Sequence, residues 1–376
     1  MEPPRRLNAA VPLLSGAKPI SVVGPAHLLG NLGASPDSPC SEGSQGSFRV
    51  QLVSTNGMPV EYGPVMIRCD GAIPEIRAPD LIYVPAPQGD FEEALRGNRP
   101  YLDWLRECHA RGTTVTTSCT GALFLAEAGL LDGRRATTHW CQADFFASRY
   151  PKVRWEISRI VVEDGGVITA GGATAYLNLM IKIAEKFLGR AQALSVARYA
   201  LVDPERDSQL PYMVRWNRQA HGDSIVQKAQ ELLAADPGKP VSLTEVATSC
   251  GVSPRTLLRR FQTALGESPG EYLQGLRIEK AKELLERTDR TVEEIVAEVG
   301  YDDSRSFRRL FRRQVGISPK RYRRRYTVFP SSQEREEALG DGIGLPGCGS
   351  RAPVRGAQAR PACAAAVLLK EDARPA

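Results

Sequence analysis

The chain has 376 residues, 42% of them hydrophobic and 24% charged, with a formal net charge of +6, values that predict two globular units with extensions. Charged residues break every long apolar run, which excludes a membrane-spanning helix and places the expected location in the cytoplasm. The eight cysteines (40, 69, 108, 119, 141, 250, 348 and 363) form no CxxC pair and no compact His/Cys set, so neither structural zinc nor a disulfide scaffold is expected, and no motif indicates a cofactor.

The N-terminal MEPPRRLNAAVPLLSG pairs two arginines with a weakly apolar stretch, but Asn8 and Pro12 interrupt it. It reads as a first strand running into a domain and not as a signal peptide. From there to residue 190, strand-like runs at 81–84, 113–117, 157–162 and 167–169 alternate with helical patterns at 100–111 and 175–187. That rhythm predicts an α/β sheet with packed helices. The stripe Leu177, Met180, Ile181, Ala184 and Phe187 is ordinary helix core.

Within TTVTTSCTGALFLAEAGLLDGRRATTHW, residues 113–140, a strand ends at Cys119 and a helix follows at once. Such an elbow sets the thiol at the sheet edge beside a helix N-terminus, where a thiolate is favoured. Covalent catalysis would also need a base or acid in reach, and the next residue is Thr120, not His. Together with VVGP at 22–25, TTHW at 137–140 and ITAGGATAYLNLM at 168–180, residues 6–190 resemble the DJ-1/PfpI superfamily, of the glutamine-amidotransferase-like class. The resemblance implies a flavodoxin-like sandwich. Isonitrile-hydratase-type members carry an acid shortly before the Gly-Pro of the first motif, where this chain has Ser21. Cys119 is thus read as lining a ligand pocket or vestigial, with a redox switch, catalysis and inert packing as the alternatives. Thr120, His139 and Gly172 would line the same pocket, although His139 also suits a structural hydrogen bond and the glycines at 171 and 172 also suit a tight turn.

Asp203-Pro204 and Leu210-Pro211 interrupt the pattern, so 191–222 reads as the interdomain connection before a helix at 225–235. Charge then becomes informative. Residues 1–222 hold 23 Lys+Arg against 22 Asp+Glu, 223–326 hold 20 against 15, and the remainder 6 against 6. Residues 304–326 contain ten basic side chains and no acid, a density suited to a phosphate backbone, with a solvated basic face as the alternative.

This segment is duplicated. Gly251 matches Gly300 at an offset of 49, and Phe261, Gly266, Pro269 and Tyr272 match Phe311, Gly316, Pro319 and Tyr322 at 50. Each copy opens with a short helix with an acidic first turn (Glu245; Glu293 and Glu294), stops at glycine, and restarts at Ser253 or at Asp303 and Ser304. Two short helices around a tight turn are a helix-turn-helix unit. The second helices bury Leu257, Phe261 and Leu265, or Phe307, Leu310, Phe311 and Val315. Their other faces carry Arg255, Arg259 and Arg260, or Ser304, Arg305, Arg308, Arg309, Arg312 and Arg313, side chains suited to major-groove bases and phosphates. Residues 272–287 form a linking helix between the two readers.

GVSPRTLLRRF, GYDDSRSFRRLFRRQVGISPKRYR and the helix between them resemble the DNA-binding domain of the AraC/XylS family over residues 223–326. The resemblance places Arg255, Arg259, Ser304, Arg305 and Arg309 at bases, and Arg308 and Arg312 at phosphates. The order of the two domains is similar to that of GlxA-type regulators. The expectation is an α/β sensor domain (1–190) and an all-α DNA-binding domain (223–326), with a disordered tail (327–376). Its partners would be double-stranded promoter DNA, a small-molecule effector, a second copy in a homodimer and, for an activator, RNA polymerase. A cysteine-dependent hydrolase or hydratase is the rival from another class.

Overall fold

The computed structural model describes residues 6–33, 47–76, 78–214 and 221–328; the tail expected to be disordered lies, past Val328, outside the described residues. Seven strands form one sheet in the order Val161–Asp164, Val167–Ala170, Thr114–Ser118, Leu81–Val84, Leu7–Pro12, Phe48–Ser54 and Gly71–Ala72. All neighbours are parallel except the Val161–Asp164 edge strand. Every residue of Leu81–Val84 and of Thr114–Ser118 is buried. Successive strand residues face opposite sides, so helices must cover both faces, which is why these strands read as unbroken runs. Pro19–Asn31 and Arg99–Ala110 supply two of the crossovers, and Ala175–Leu188 packs on the sheet with its apolar stripe inward.

Two segments differ from expectation. The strand read at 157–162 begins at Val161, because 158–160 pair instead with a later segment: Ile160 N–H donates to Asp207 O and Gln209 N–H to Ser158 O. The stretch read as connection from 191 begins with a helix, Arg190–Tyr199, that buries Ala193, Val196 and Ala197 in the α/β core. Its apolar face is made of small residues, which leave a weak periodic signal.

The helical part holds two separate cores, one per helix-turn-helix unit. The linking helix Pro269–Arg287 serves both: Tyr272 and Leu273 belong to the first core, Ile278, Ala281 and Leu285 to the second. The duplication extends to side-chain geometry. Phe261 meets Tyr272 edge-on at 5.8 Å, and Phe311 meets Tyr322 at 5.7 Å, arrangements favoured by the ring quadrupole. Each second helix ends on a left-handed glycine, Gly266 or Gly316, and the next begins on a capping serine, Ser268 or Ser318.

The two turn glycines differ in what surrounds them. Gly251 and Gly300 have φ of 72° and 80°, but a Cβ on Gly300 would lie 2.4 Å from Gly238 O, whereas one on Gly251 meets nothing within 4 Å. Arg277 tightens this approach by donating to Pro237 O, Gly300 O and Lys239 O. Gly251→Ala should therefore lose only the left-handed backbone term, about 1–2 kcal/mol. Gly300→Ala should lose roughly 1–3 kcal/mol more through overlap. Chemical denaturation of both variants checks this, and equal losses would mean that the 237–239 loop yields freely.

Candidate nucleic-acid interface and elbow site

The first reading helix, Pro254–Leu265, is capped by Ser253 Oγ, which accepts from Thr256 N–H at 3.2 Å. The second, Ser304–Val315, is capped by Asp303, whose carboxylate accepts from the backbone N–H of Arg305 at 3.0 Å and of Ser306 at 3.1 Å. The Ser306 hydroxyl and these amides hold the Asp303 carboxyl below its usual range. Burial of Leu257, Phe261 and Leu265, and of Phe307, Leu310, Phe311 and Val315, fixes which face of each helix turns outward. Arg255, Arg259, Arg305, Arg308, Arg309 and Arg312 are exposed and Ser304 is half-buried.

These arginines are not equivalent. Arg308 is paired with Glu293 of the preceding helix, Val292–Glu298. Arg260, read from sequence as part of the exposed basic face, is instead engaged by Asp223 at 2.9 Å, the residue that caps the helix Ser224–Ala235. That ion pair turns Arg260 into a staple between helices, a long-range contact that helical spacing does not reveal. Leu258, 48% exposed on the first reading helix, is an apolar group that the charge pattern passed over; apolar side chains in that position can meet a thymine methyl.

At the elbow, the strand Thr114–Ser118 ends and Cys119 adopts φ of 57°. A side chain in this left-handed region is strained and must be held by its surroundings. The holding groups are explicit: Cys119 N–H donates to Gly171 O at 2.8 Å, and Cys119 O accepts from Thr138 Oγ1 at 2.9 Å. Gly121 is required by close approach, since a Cβ there would lie 2.1 Å from Thr117 Oγ1 and 3.0 Å from Pro85 O and Val84 O. Cys119 is almost fully buried, at 6% exposure. The site lies at the carboxyl end of a parallel strand, the edge where open α/β sheets bind ligands.

The His139 ring occupies the space over Gly172 where a Cβ would stand, at 2.4 Å, and Cys119 is tied to their chain neighbours, Thr138 and Gly171, by the bonds above. Thr120 is directed elsewhere, donating to Pro87 O at 3.1 Å. At the matching position for a catalytic acid, the Ser21 hydroxyl donates to Lys18 O and accepts from Ala86 N–H. His139 Nδ1 accepts from Cys141 N–H at 3.1 Å, which leaves the ring proton on Nε2. Among the described residues no group of three His, Cys, Asp or Glu is placed to hold a metal ion. One further residue sits here that sequence reading missed: the buried amide of Gln209 fills the space over Gly171.

Burial first, and the Lys18 charge second, push the His139 pKa below its ordinary 6.5. The folded protein thus resists a proton that the unfolded chain accepts. Its contribution to stability is complete above pH 6.5 and is lost as pH falls through the depressed folded value. His139→Gln should therefore lose less stability than the parent between pH 7 and 5 in denaturation curves; parallel curves would mean that the ring titrates as if in water.

A family model described as a helix-turn-helix domain matches residues 246–325, and one described as the DJ-1/PfpI family matches residues 8–186. The HTH-type transcriptional regulator CdhR of Pseudomonas aeruginosa is 34% identical over 284 residues, covering 73% of this chain and 82% of that one. The HTH-type transcriptional regulator GlxA of Rhizobium meliloti is 28% identical over 225 residues, 59% of this chain and 68% of that one. Isonitrile hydratase of Pseudomonas putida is 37% identical over 112 residues, 29% of this chain and 46% of that enzyme. With a parallel α/β sheet, a duplicated helix-turn-helix unit and these relatives, the chain belongs to the AraC-type transcriptional regulators that carry a DJ-1/PfpI domain, and it is a DNA-binding regulator.

Proposed function

We propose that this regulator reads double-stranded promoter DNA with Arg255 and Arg259 of the first reading helix and Ser304, Arg305 and Arg309 of the second, while Arg308 and Arg312 meet phosphates. The observation that carries this reading is the opposition, on both copies, of a buried Leu or Phe face and an exposed arginine face. Arg305, Arg309 and Arg312 recur at i, i+4 and i+7 and share one side of their helix. Linked through one helix buried in both cores, the two readers would enter successive grooves on one face of the duplex.

The α/β part, which the helix Arg190–Tyr199 extends beyond residue 190, acts as a sensor whose pocket at the elbow, with Cys119, His139 and Gly172, takes a small metabolite and does not turn it over. The stretch after that helix, to residue 222, connects it to the DNA-binding part at 223–326. The protein works in the cytoplasm as a homodimer and activates transcription through RNA polymerase. Two features support the non-enzymatic reading. Ser21 stands where the hydratase-type acid would be, and the His139 Nδ1 lone pair is taken by Cys141 N–H, leaving no basic nitrogen for the Cys119 proton. The strained φ of Cys119 and the likeness to isonitrile hydratase favour the rival enzyme.

Both parts are testable. With a site obtained by selection from random DNA, Arg305→Ala should weaken specific binding by about 1–3 kcal/mol and relax one base preference. Arg312→Ala should weaken all sequences alike and lower the salt slope by about one. Loss of affinity without relaxed preference for Arg305→Ala would remove it from the bases. Assays with isonitriles and primary amides should show no saturable turnover; turnover abolished by Cys119→Ala would establish the enzyme.

A further inference from the structure

The segment between the sensor and the reading helices is anchored at both ends within a few residues. Gln209 is 2% exposed. Its Nε2 lies 3.2 Å from Thr137 Oγ1, 2.9 Å from Thr138 O, 2.8 Å from Ile157 O and 3.1 Å from Arg159 O, and its Oε1 accepts from Gly172 N–H at 3.2 Å. An amide has two N–H donors, so four oxygens share them and the side chain cannot leave without orphaning buried groups. A Cβ on Gly171 would stand 2.4 Å from this amide, so the glycine is there to admit it. Backbone bonds Ile160 N–H to Asp207 O (2.9 Å) and Gln209 N–H to Ser158 O (2.7 Å) secure the same end.

The groups that Gln209 binds are those that hold the elbow. Thr138 bonds Cys119 O and precedes His139, Gly171 O accepts from Cys119 N–H, and Gly172 lies under the His139 ring. Immediately downstream the chain meets the DNA-binding part. Leu210 and Pro211 approach within 3.3 and 3.6 Å of the Cβ position of Gly316, the left-handed residue that ends the second reading helix. Met213 O accepts from Lys282 Nζ at 2.6 Å, and Lys282, only 4% exposed, lies on the linking helix beside Glu279. Tyr212 meets Tyr326 edge-on at 6.4 Å, while Arg206 lies over the Tyr212 ring at 4.8 Å and bonds Thr174 Oγ1.

Four peptide units separate Gln209 from Met213, a span of roughly 14 Å at most when extended, and Pro211 removes one backbone freedom within it. So short a link cannot absorb a displacement at one end. Beside it is a half-open cleft of about 480 Å³, bordered by Trp140 and Cys141, which follow His139, and by Leu210, Met213, Lys282 and Val315. That is room in which the link can take a second position, which a close-packed interior would not offer.

We propose that Gln209 is the positioning residue of the elbow site and that Asp207–Met213 is a strut coupling that site to the second reading helix and the linking helix. Its use in signalling rests on the sensor reading; the mechanical coupling does not. A change that moves Thr138 and Gly172 is carried to Gly316 and Lys282, and the reverse holds with equal strength, because coupling between two sites is reciprocal.

Hydrogen exchange on the full chain tests this. Gln209→Ala should speed exchange at 138–141 and 171–174 and also at 312–317, on the order of tenfold, while Pro254–Leu265 stays unchanged. Lys282→Met, at the far end, should speed exchange at 171–174. Pro211→Gly removes no polar partner and should abolish that remote effect of Lys282→Met, which keeps the test open even where Gln209→Ala fails to fold. Effects of Gln209→Ala confined to the elbow, and of Lys282→Met confined to the helices, would overturn the strut. Remote coupling in a protein whose DNA affinity answers to no metabolite would retain the strut and remove the sensor reading.

Discussion

The linking helix Pro269–Arg287 is the constraint on which the DNA-binding part depends. Its first turns complete one apolar core with Tyr272 and Leu273, and its later turns complete the other with Ile278, Ala281 and Leu285. A helix that is buried in both cores cannot rotate without opening one of them. The orientation of the two basic faces is therefore a packing outcome, set before any DNA is present. Such preorganisation removes ordering costs from binding. Arg260 and Arg277 belong to this scaffold, Arg260 through its ion pair with Asp223 and Arg277 through its bonds to the 237–239 and Gly300 backbone.

In the α/β part the corresponding constraint is the strained Cys119. Its left-handed backbone is held by Gly171 O and Thr138 Oγ1, and two residues on, the chain passes so close to Thr117 Oγ1, Pro85 O and Val84 O that only glycine, Gly121, fits. The same geometry that would aim a nucleophile here ends on a nearly buried cysteine, and the Nδ1 of His139 is already engaged by Cys141 N–H. The elbow and the second reading helix are joined by the short segment around Gln209, so the scaffold that holds the elbow also touches Gly316.

Much of this was legible in the sequence because it is local or repeated. The 49- and 50-residue offsets expose the turn glycines and the matching Phe, Pro and Tyr positions at once, since the same local chemistry had to be satisfied twice. The buried parallel strands announced themselves as apolar runs, and the elbow as a cysteine between strand and helix patterns. What escaped was long-range or carried by backbone. Gln209 has partners 37 to 72 residues away, most of them carbonyls, which leave no side-chain signature. Arg260 looked like a reader because its partner Asp223 sits 37 residues upstream. The helix Arg190–Tyr199 buries Ala193, Val196 and Ala197, a face too small to stand out from a polar linker.

The central claim is that the arginine faces of these two helices bring the chain to specific promoters. Genome-wide mapping of the tagged protein by crosslinking and sequencing tests it most directly. Sharp peaks upstream of an operon, sharing one motif with two half-elements spaced by about one helical turn, are the predicted result. No reproducible peaks, with and without the metabolites of the host's catabolic routes, would contradict it.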